Sequence, residues 1–499
     1  MDLLIGDVFR NAARAVPDRL AAVVGDGAVT FGQLDARSNQ VARALIACGI
    51  GHGDRVVAWS ATDLDVMPLF AAVAKLGAVF APASPLLGPA EAAAVIGSAR
   101  PALIACDRGR LEAAASIGAD LGAPALCIEG LAGGGGDLLG RAADEQPDSA
   151  LPSPKSLGEN DAHVVFFTSG STGRPKGVVL SHRVNMLRSH PGALPEPRGA
   201  LVCPFPLFHM GAWTLALQQW QARDAVIFSG ADAADICAAI ARHRATRVNA
   251  IPAIWRRVLD HLASDGARTD VSTLRFADTG TSATPPELLD AIAAALDGAW
   301  VRVFYGSTEA GGVACLQHDD IARKPGSCGV PSTLAEVHVD EAGELWVRGP
   351  LLFDGYFGDE EATAEALVDG WYRSGDLVEI DDDGYMTVTG RARDVIRTGG
   401  ETVAPAEVEA VLRDEASIAD VAVVGIPDPT WGEIVCAVVV ARPGHPAPDV
   451  ETLRVHCGGR LAAFKHPRRV AVVDTIPRTA STGQVQRRLL VEQLAAPPT

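Results

Sequence analysis

Apolar runs of strand length and stretches with one helical face follow one another from Thr30 to Gly306, and this alternation limits the folds open to the chain. Leu34, Val41 and Leu45 mark one face of a helix between Thr30 and Cys48. DRVVAWS at 54–60 is short enough for a strand, and LDVMPLFAAVAKLGA at 64–78 is helical again. PALIACD at 101–107, RVNAIPAIWRRVLDHL at 247–262, PPELLDAIAAAL at 285–296 and AWVRVFYG at 299–306 continue the pattern. Strands separated by helices pair in parallel, so the expectation is an α/β fold of βαβ-type subdomains whose sheets are covered on both faces.

A chain of 499 residues exceeds a single core, at roughly 100 to 200 residues per domain. Between Leu131 and Asn160, GGGG at 133–136 and EQPDSALPSPKSLGEN at 145–160 read as a mobile surface connection between two halves of a large domain. From Asp340 the texture changes to short alternating pieces with acidic turns, VHVDEAGELWVRG and LVEIDDDGYMTVTGR, which predict hairpins in a small β unit. Beyond Arg393, PAEVEAVL, VAVVGIPD, EIVCAVVVARPG and a helix between Thr452 and Leu461 suit a compact α+β domain of about 100 residues.

Charge excludes some partners. Forty-three basic against 61 acidic side chains give −18, which repels nucleic acid and anionic lipid. The start, MDLLIGDVFRNAARAVPDRLA, is broken by Asp2, Asp7 and Arg10, unlike a secretion signal, and no run of about 18 apolar residues occurs. A cytoplasmic protein without a transmembrane segment is expected. The nine cysteines are scattered without metal-ligand spacing and read as small apolar core residues. Oligomeric state has no signal, and a homodimer stays an open expectation.

Three stretches carry chemistry. TSGSTGRPKG at 168–177 follows the apolar run HVVFF, and its glycines, hydroxyls and single lysine make a cradle for phosphate oxygens. It is not the GxxxxGK[ST] loop of nucleotide hydrolases, because Pro175 takes the second glycine's place and Gly177 follows the lysine. FYGSTEAGG at 304–312 offers a flat ring in Tyr305, a hydroxyl in Thr308 and a hard oxygen ligand for Mg²⁺ in Glu309; alone it could be a strand-end turn. In WYRSGDLVEIDDDGYMTVTGRARDVIRTGGETVAPAEVE at 371–409, Asp376 could take a ribose diol and Arg391 could add a forked donor, although a lone Asp or Arg is commonly a surface charge.

The order and spacing of these stretches resemble the adenylate-forming superfamily of acyl-CoA synthetases, luciferases and peptide-synthetase adenylation domains. The resemblance spans essentially the whole chain, through TSGSTGRPKG, PLFHMG at 206–211, YGSTE, YRSGDL, GRARDVIRTGGETVAPAEVE, DPTWGE at 428–433 and IPRTASTGQVQRRLL at 476–490. It is strongest toward acid:CoA ligases, fatty-acyl-CoA ligases among them. It implies a large domain over 1–390, a hinge at 391–393 and a mobile domain over 394–499, with ATP, Mg²⁺ and CoA converting a small carboxylic acid to an acyl adenylate and then a thioester.

By the same resemblance, Thr168, Ser169, Gly170, Ser171, Thr172, Gly173 and Lys176 embrace the β and γ phosphates, and Thr168 with Glu309 holds Mg²⁺. Gly280, Thr281, Ser282 and Ala283 face Tyr305 across the adenine, with Gly306, Ser307 and Thr308 completing that loop. Asp376 takes the ribose with help from Arg391; Arg393 is the pivot, and Gly399 and Gly400 line the entry of the pantetheine arm. His209 lies beside the acyl carboxylate, although as a lone histidine between Phe208 and Met210 it would read as a core imidazole. Trp213, Gly311 and Gly312 are implied walls of the acyl pocket, the tryptophan shortening it and the glycines opening it.

One position departs. The family's last motif carries a lysine that reaches the carboxylate and the α-phosphate, and here Gln484 stands in its place. An amide donates hydrogen bonds but brings no charge. Three explanations compete: an engineered replacement, recruitment of Arg487 or Arg488, or a homologue that binds acyl adenylate without making it efficiently. An acyl-AMP ligase that loads a carrier protein is the remaining alternative to CoA.

Overall fold

Every residue of the helix Val66–Leu76 is buried, Lys75 included. A helix enclosed all round needs neighbours on every side. In this computed structural model, which describes residues 2–133, 138–169, 175–190, 198–265, 269–398, 401–479 and 483–495, it shares a central layer with the helices Phe31–Ala47 and Met210–Ala222. Phe70 lies flat on Trp213 with ring centroids 3.9 Å apart. Lys75 is tolerated there because its Nζ donates to Asp35 Oδ1 at 2.6 Å, Ser38 Oγ at 2.7 Å and Asn39 Oδ1 at 2.8 Å.

Two large sheets enclose that layer. Among the described residues one has nine strands, in the order Val330–Pro331, Gly311–Leu316, Trp300–Ser307, Phe276–Gly280, Arg247–Asn249, Leu201–Cys203, Val226–Phe228, Leu20–Val24 and Gly27–Thr30. The other has seven: Gly355–Tyr356, Pro175–Ser181, Ala162–Ser169, Val79–Ala83, Arg55–Trp59, Leu103–Cys106 and Ala125–Cys127. Helices Ala233–His243, Pro252–Asp265 and Pro286–Ala295 pack on the outer face of the first, and Pro89–Ala99 and Leu111–Leu121 on the outer face of the second. Parallel pairing runs through both sheets and reaches the edge at Ala125–Cys127, and antiparallel pairs occur only toward the other edges. Gly27–Thr30, Gly311–Leu316 and Pro175–Ser181 each return antiparallel on the strand before them, because the connecting loops are too short for a crossover helix.

The segment expected to be a mobile connection departs from that reading. Leu138–Asp144 is helical, with Leu139 and Ala143 in the main core. Polar side chains of Phe31–Ala47 hold it: Arg37 pairs with Asp144 at 2.8 Å, and Asn39, Gln40 and Arg43 donate to the carbonyls of Asp148, Gln146 and Pro147. The chain there is anchored through its backbone, which composition does not reveal.

A five-stranded unit of Glu336–Val339, Glu344–Arg348, Trp371–Ile380, Leu367–Val368 and Met386–Arg391 provides the hairpins expected after Asp340. A separate five-stranded sheet begins at Ile396, with Ile418–Asp428 and Gly432–Ala441 as its long pair and helices Pro405–Leu412, Val450–Cys457 and Arg487–Ala495 around it. No helix among the described residues is long and apolar enough to cross a membrane.

Candidate active site

Parallel strands deliver ligand-binding loops at their carboxyl ends. Phe276–Gly280 and Trp300–Ser307 are parallel neighbours with Gly280 opposite Phe304, so the loop starting at Gly280 and the loop of YGSTE emerge side by side. A Cβ on Gly280 would run into the Phe304 carbonyl oxygen, which is why this close approach needs glycine. Thr281 follows with φ at +67°, a left-handed conformation costing about 1 kcal/mol for a branched residue. Thr281, Ser282 and Ala283 are exposed, so this stored strain presents backbone to solvent beside Tyr305.

Asp376 sits directly below. It lies opposite Arg391 in the antiparallel pair of Trp371–Ile380 with Met386–Arg391. The Tyr305 hydroxyl donates to its Oδ2 at 2.6 Å, and Arg391 Nε reaches its Oδ1 at 2.6 Å. Burial raises the Asp376 carboxyl above its ordinary range and outweighs the opposing pull of Arg391 and of the Tyr305 bond. Burial and the neighbouring carboxylate push the Tyr305 phenol up, so it stays protonated and remains a donor. Each Asp376 oxygen keeps a second lone pair for a diol.

The phosphate end is built from two sheets. Thr168 pairs with Lys176 at the mouth of the hairpin Ala162–Ser169/Pro175–Ser181, its hydroxyl donating to the Lys176 carbonyl at 3.4 Å. Lys176 Nζ lies 4.8 Å from the centroid of the Tyr356 ring. The Tyr356 hydroxyl donates to Glu309 Oε1 at 3.1 Å, so lysine and glutamate flank one aromatic side chain. Beneath them Arg188, half-buried, donates to the carbonyls of Leu351 at 2.8 Å, Thr308 at 2.8 Å and Glu309 at 2.7 Å. Burial lowers its guanidinium to about 10, which leaves it charged at neutral pH. Ser307 Oγ accepts from Ala310 N at 3.0 Å and shapes the same turn, while Gly306 pairs with Gly312.

His209 precedes the helix Met210–Ala222, with its ring 4.2 Å from that of Phe208. Its Nε2 is buried and has no hydrogen-bond partner, and burial lowers the imidazole to about 4. A neutral ring with an unused polar nitrogen suits an incoming oxygen.

Two of the expected pocket walls lie elsewhere. Trp213 is 2% exposed, stacked on Phe70 with its Nε1 bound to the Leu207 carbonyl at 2.6 Å, and therefore packs the core. Gly311, at φ +72°, makes room for Arg188, whose Nε would be 2.9 Å from a Cβ there. Gly312 is exposed with open space beside it. Gln484 is exposed, and its backbone bonds pair it with Thr479. Arg487, one of the two arginines expected as a substitute, is paired with Glu409 at 2.6 Å and Asp394 at 3.4 Å. Arg488 is paired with Glu492 at 2.8 Å. Arg393, half of it exposed, lies between the last strand of the small β unit and the first strand of the C-terminal sheet. Gly170, Ser171, Thr172, Gly173, Gly399 and Gly400 fall outside the described residues.

Tyr356 and Arg188 escaped the sequence reading. Arg188 acts on backbone carbonyls, which leave no pattern in sequence, and Tyr356 meets Glu309 across 47 positions.

Glycine-bordered loops at strand ends, a buried aspartate bound by a tyrosine and an arginine, and a lysine and glutamate around one ring define a nucleotide-using enzyme of the adenylate-forming class. The chain belongs to the AMP-binding enzyme family, whose model matches residues 9–357, with the AMP-binding enzyme C-terminal domain matching 407–482. It is 32% identical over 509 residues to the long-chain-fatty-acid–CoA ligase FadD13 of Mycobacterium tuberculosis, covering 99% of each chain. It is 34% identical over 505 residues to a feruloyl-CoA synthase of Amycolatopsis, covering 95% of this chain and 97% of that one. ATP-bound MatB from Rhodopseudomonas palustris has a similar structure, at 28% identity and a TM-score of 0.86 over 99% of both chains.

Proposed function

We propose that this enzyme activates a fatty acid, with the nucleotide held between the Tyr305–Asp376–Arg391 cluster and the Lys176–Glu309 pair. The chain is an AMP-forming acid:CoA ligase that uses ATP, Mg²⁺ and CoA. A carboxylate is a poor electrophile until AMP is attached as a leaving group. The attacking carboxylate oxygen bonds to the α-phosphorus as pyrophosphate departs, and the CoA thiol then displaces AMP.

The observation that carries the nucleotide site is the grouping of Tyr305 with Asp376 and of Lys176 with Glu309 through Tyr356, and the fatty-acid class rests on the similarity to the long-chain-fatty-acid–CoA ligase. Asp376 accepts the ribose hydroxyls, the ring of Tyr305 meets the base, and the Lys176 ammonium meets phosphate oxygens. His209, neutral near pH 7, offers a hydrogen bond to the acyl carboxylate without adding charge. Glu309 suits the hard cation, since Tyr356 occupies Oε1 and the carboxylate has further lone pairs. Bound there with Thr168, Mg²⁺ would offset the negative charge of the phosphates. Arg393 serves as the pivot between residues 1–390 and 394–499, and Gly399 and Gly400 admit the pantetheine arm. We place the enzyme in the cytoplasm, in keeping with cysteines scattered along the chain without metal-ligand spacing.

A second reading is favoured by Gln484 alone: with Arg487 and Arg488 bound to carboxylates, the chain would hold acyl adenylate and form it slowly. Purified protein mixed with ATP, Mg²⁺, CoA and a panel of fatty, aryl and dicarboxylic acids separates the two. Acid-dependent AMP with fatty acids supports ligase action on that class, whereas binding without AMP supports the second reading. Pyrophosphate released with acyl adenylate retained, and no AMP when CoA is added, points to a carrier protein as acceptor, and light scattering on the same samples tests for a homodimer.

A further inference from the structure

Resting on the ATP-site reading above, we infer that Tyr356 is a positioning residue that sets the phosphate-binding lysine and the Mg²⁺-binding glutamate at a fixed separation. The two groups come from different sheets. Lys176 is on the strand Pro175–Ser181 of the seven-stranded sheet, and Glu309 follows Trp300–Ser307 of the nine-stranded one. Their spacing therefore depends on whatever spans the gap.

The segment 351–357 spans it, bond by bond. Phe353 N donates to the Glu309 carbonyl at 2.8 Å, and the Leu351 carbonyl accepts from Arg188, which also holds Glu309. Further along, Asp354 N donates to the Val179 carbonyl at 2.9 Å and Phe357 N to that of Gly177 at 2.7 Å. Tyr356 stands opposite Val178 in this added strand. Its own backbone is fixed by Thr363 Oγ1, which accepts from Tyr356 N at 2.8 Å, and its ring packs edge-on against Phe353 at 4.9 Å.

A tyrosine suits the gap because it attracts both signs of charge through different atoms. The ring face carries negative density for the ammonium, and the hydroxyl carries a proton for the carboxylate. The hydroxyl is the donor in this pair, and its bond to Oε1 at 3.1 Å leaves the ring face free for the ammonium 4.8 Å from its centroid. Orienting one carboxylate oxygen in this way presents the other toward a cation, which is the usual task of an outer partner of a metal ligand.

The test is calorimetric binding of ATP to the full chain, once in EDTA and once with Mg²⁺ in excess. Tyr356→Phe keeps the ring over Lys176 and removes only the hydroxyl. The gain in ATP affinity from Mg²⁺ should shrink about ten-fold, the lower end of the loss for such outer partners, while affinity in EDTA stays at the wild-type value. In a Glu309→Gln background the same substitution should change neither number, a pattern that general destabilisation would not produce. Tyr356→Leu, which also removes the ring, should weaken binding in EDTA as well. An undiminished Mg²⁺ gain in Tyr356→Phe overturns this inference and leaves the ATP site standing. Failure of the wild-type chain to bind ATP in either buffer overturns both.

Discussion

Tyr305 and Asp376 are joined by a 2.6 Å hydrogen bond across 71 positions of sequence, linking the nine-stranded sheet to the small β unit. On the proposed reading of the site, this bond would make the adenine and ribose subsites one piece. A bond from a neutral donor to a buried carboxylate is worth about 1.5 to 3 kcal/mol, or about ten- to a hundred-fold in binding. Because the bond is already formed before nucleotide binds, Tyr305→Phe should raise the dissociation constant for ATP by at most that factor, and Asp376→Asn by more than Tyr305→Phe. In the double variant the losses should fall well short of adding, because each single change already breaks the shared bond. Additive losses by calorimetry would show that the two subsites act separately.

Position 484 of the last motif carries an uncharged amide, and Arg487 and Arg488 after it are engaged by Glu409, Asp394 and Glu492. Gln484→Lys should accelerate acid-dependent exchange of pyrophosphate into ATP by about 10² to 10³, the effect of one preorganised donor. Thioester formation from ready-made acyl adenylate should change little. Exchange that stays at the original rate would mean that a cation elsewhere already fills the role.

What the sequence disclosed and what it hid divide along physical lines. YGSTE stood out as a glycine and hydroxyl loop after an apolar strand, the Gly280 loop entered only through the family resemblance, and the structure sets the two side by side and pairs Asp376 with Arg391. The alternating layers were legible from periodicity. The helix Leu138–Asp144 was not, since Arg37, Asn39, Gln40 and Arg43 hold its surroundings through main-chain carbonyls that any sequence provides. Trp213 was misread because helix position alone does not say which neighbour a ring meets, and its stack on Phe70 is a tertiary fact. Gly311 was read as open space and is instead the seat of Arg188.

That seat makes Arg188 testable. Its guanidinium is the donor for the carbonyls of Leu351, Thr308 and Glu309, so Arg188→Met would strip donors from buried acceptors at a cost of about 3 kcal/mol. Gly311→Ala should act through the same clamp, adding about 1 to 2 kcal/mol of left-handed strain and a methyl against Nε. Urea unfolding should show lower midpoints for both with unchanged slopes. A Gly311→Ala midpoint equal to wild type would argue that the loop is free to move away from Arg188.

Acid should weaken the fold through a pair of buried histidines far from Gln484 in sequence. His163 and His182 lie with ring centroids 4.8 Å apart; Ile5 N donates to His182 Nδ1 at 3.2 Å, and Asn185 Nδ2 lies 3.1 Å from His163 Nδ1. Burial lowers His182 to about 4 and holds His163 well below the ordinary 6.5. The unfolded chain therefore takes up protons near pH 6.5 while the folded chain still refuses them, so stability is full above that pH and falls as pH drops toward 4. For His182 alone the loss across this window is about 3 kcal/mol. Thermal midpoints measured from pH 7 to pH 4 should decline accordingly, and His182→Gln, whose amide oxygen can still accept from Ile5 N, should flatten the decline. An equally steep decline in that variant would assign the acid sensitivity to other groups, with His209, lowered to about 4 by burial, the next to replace.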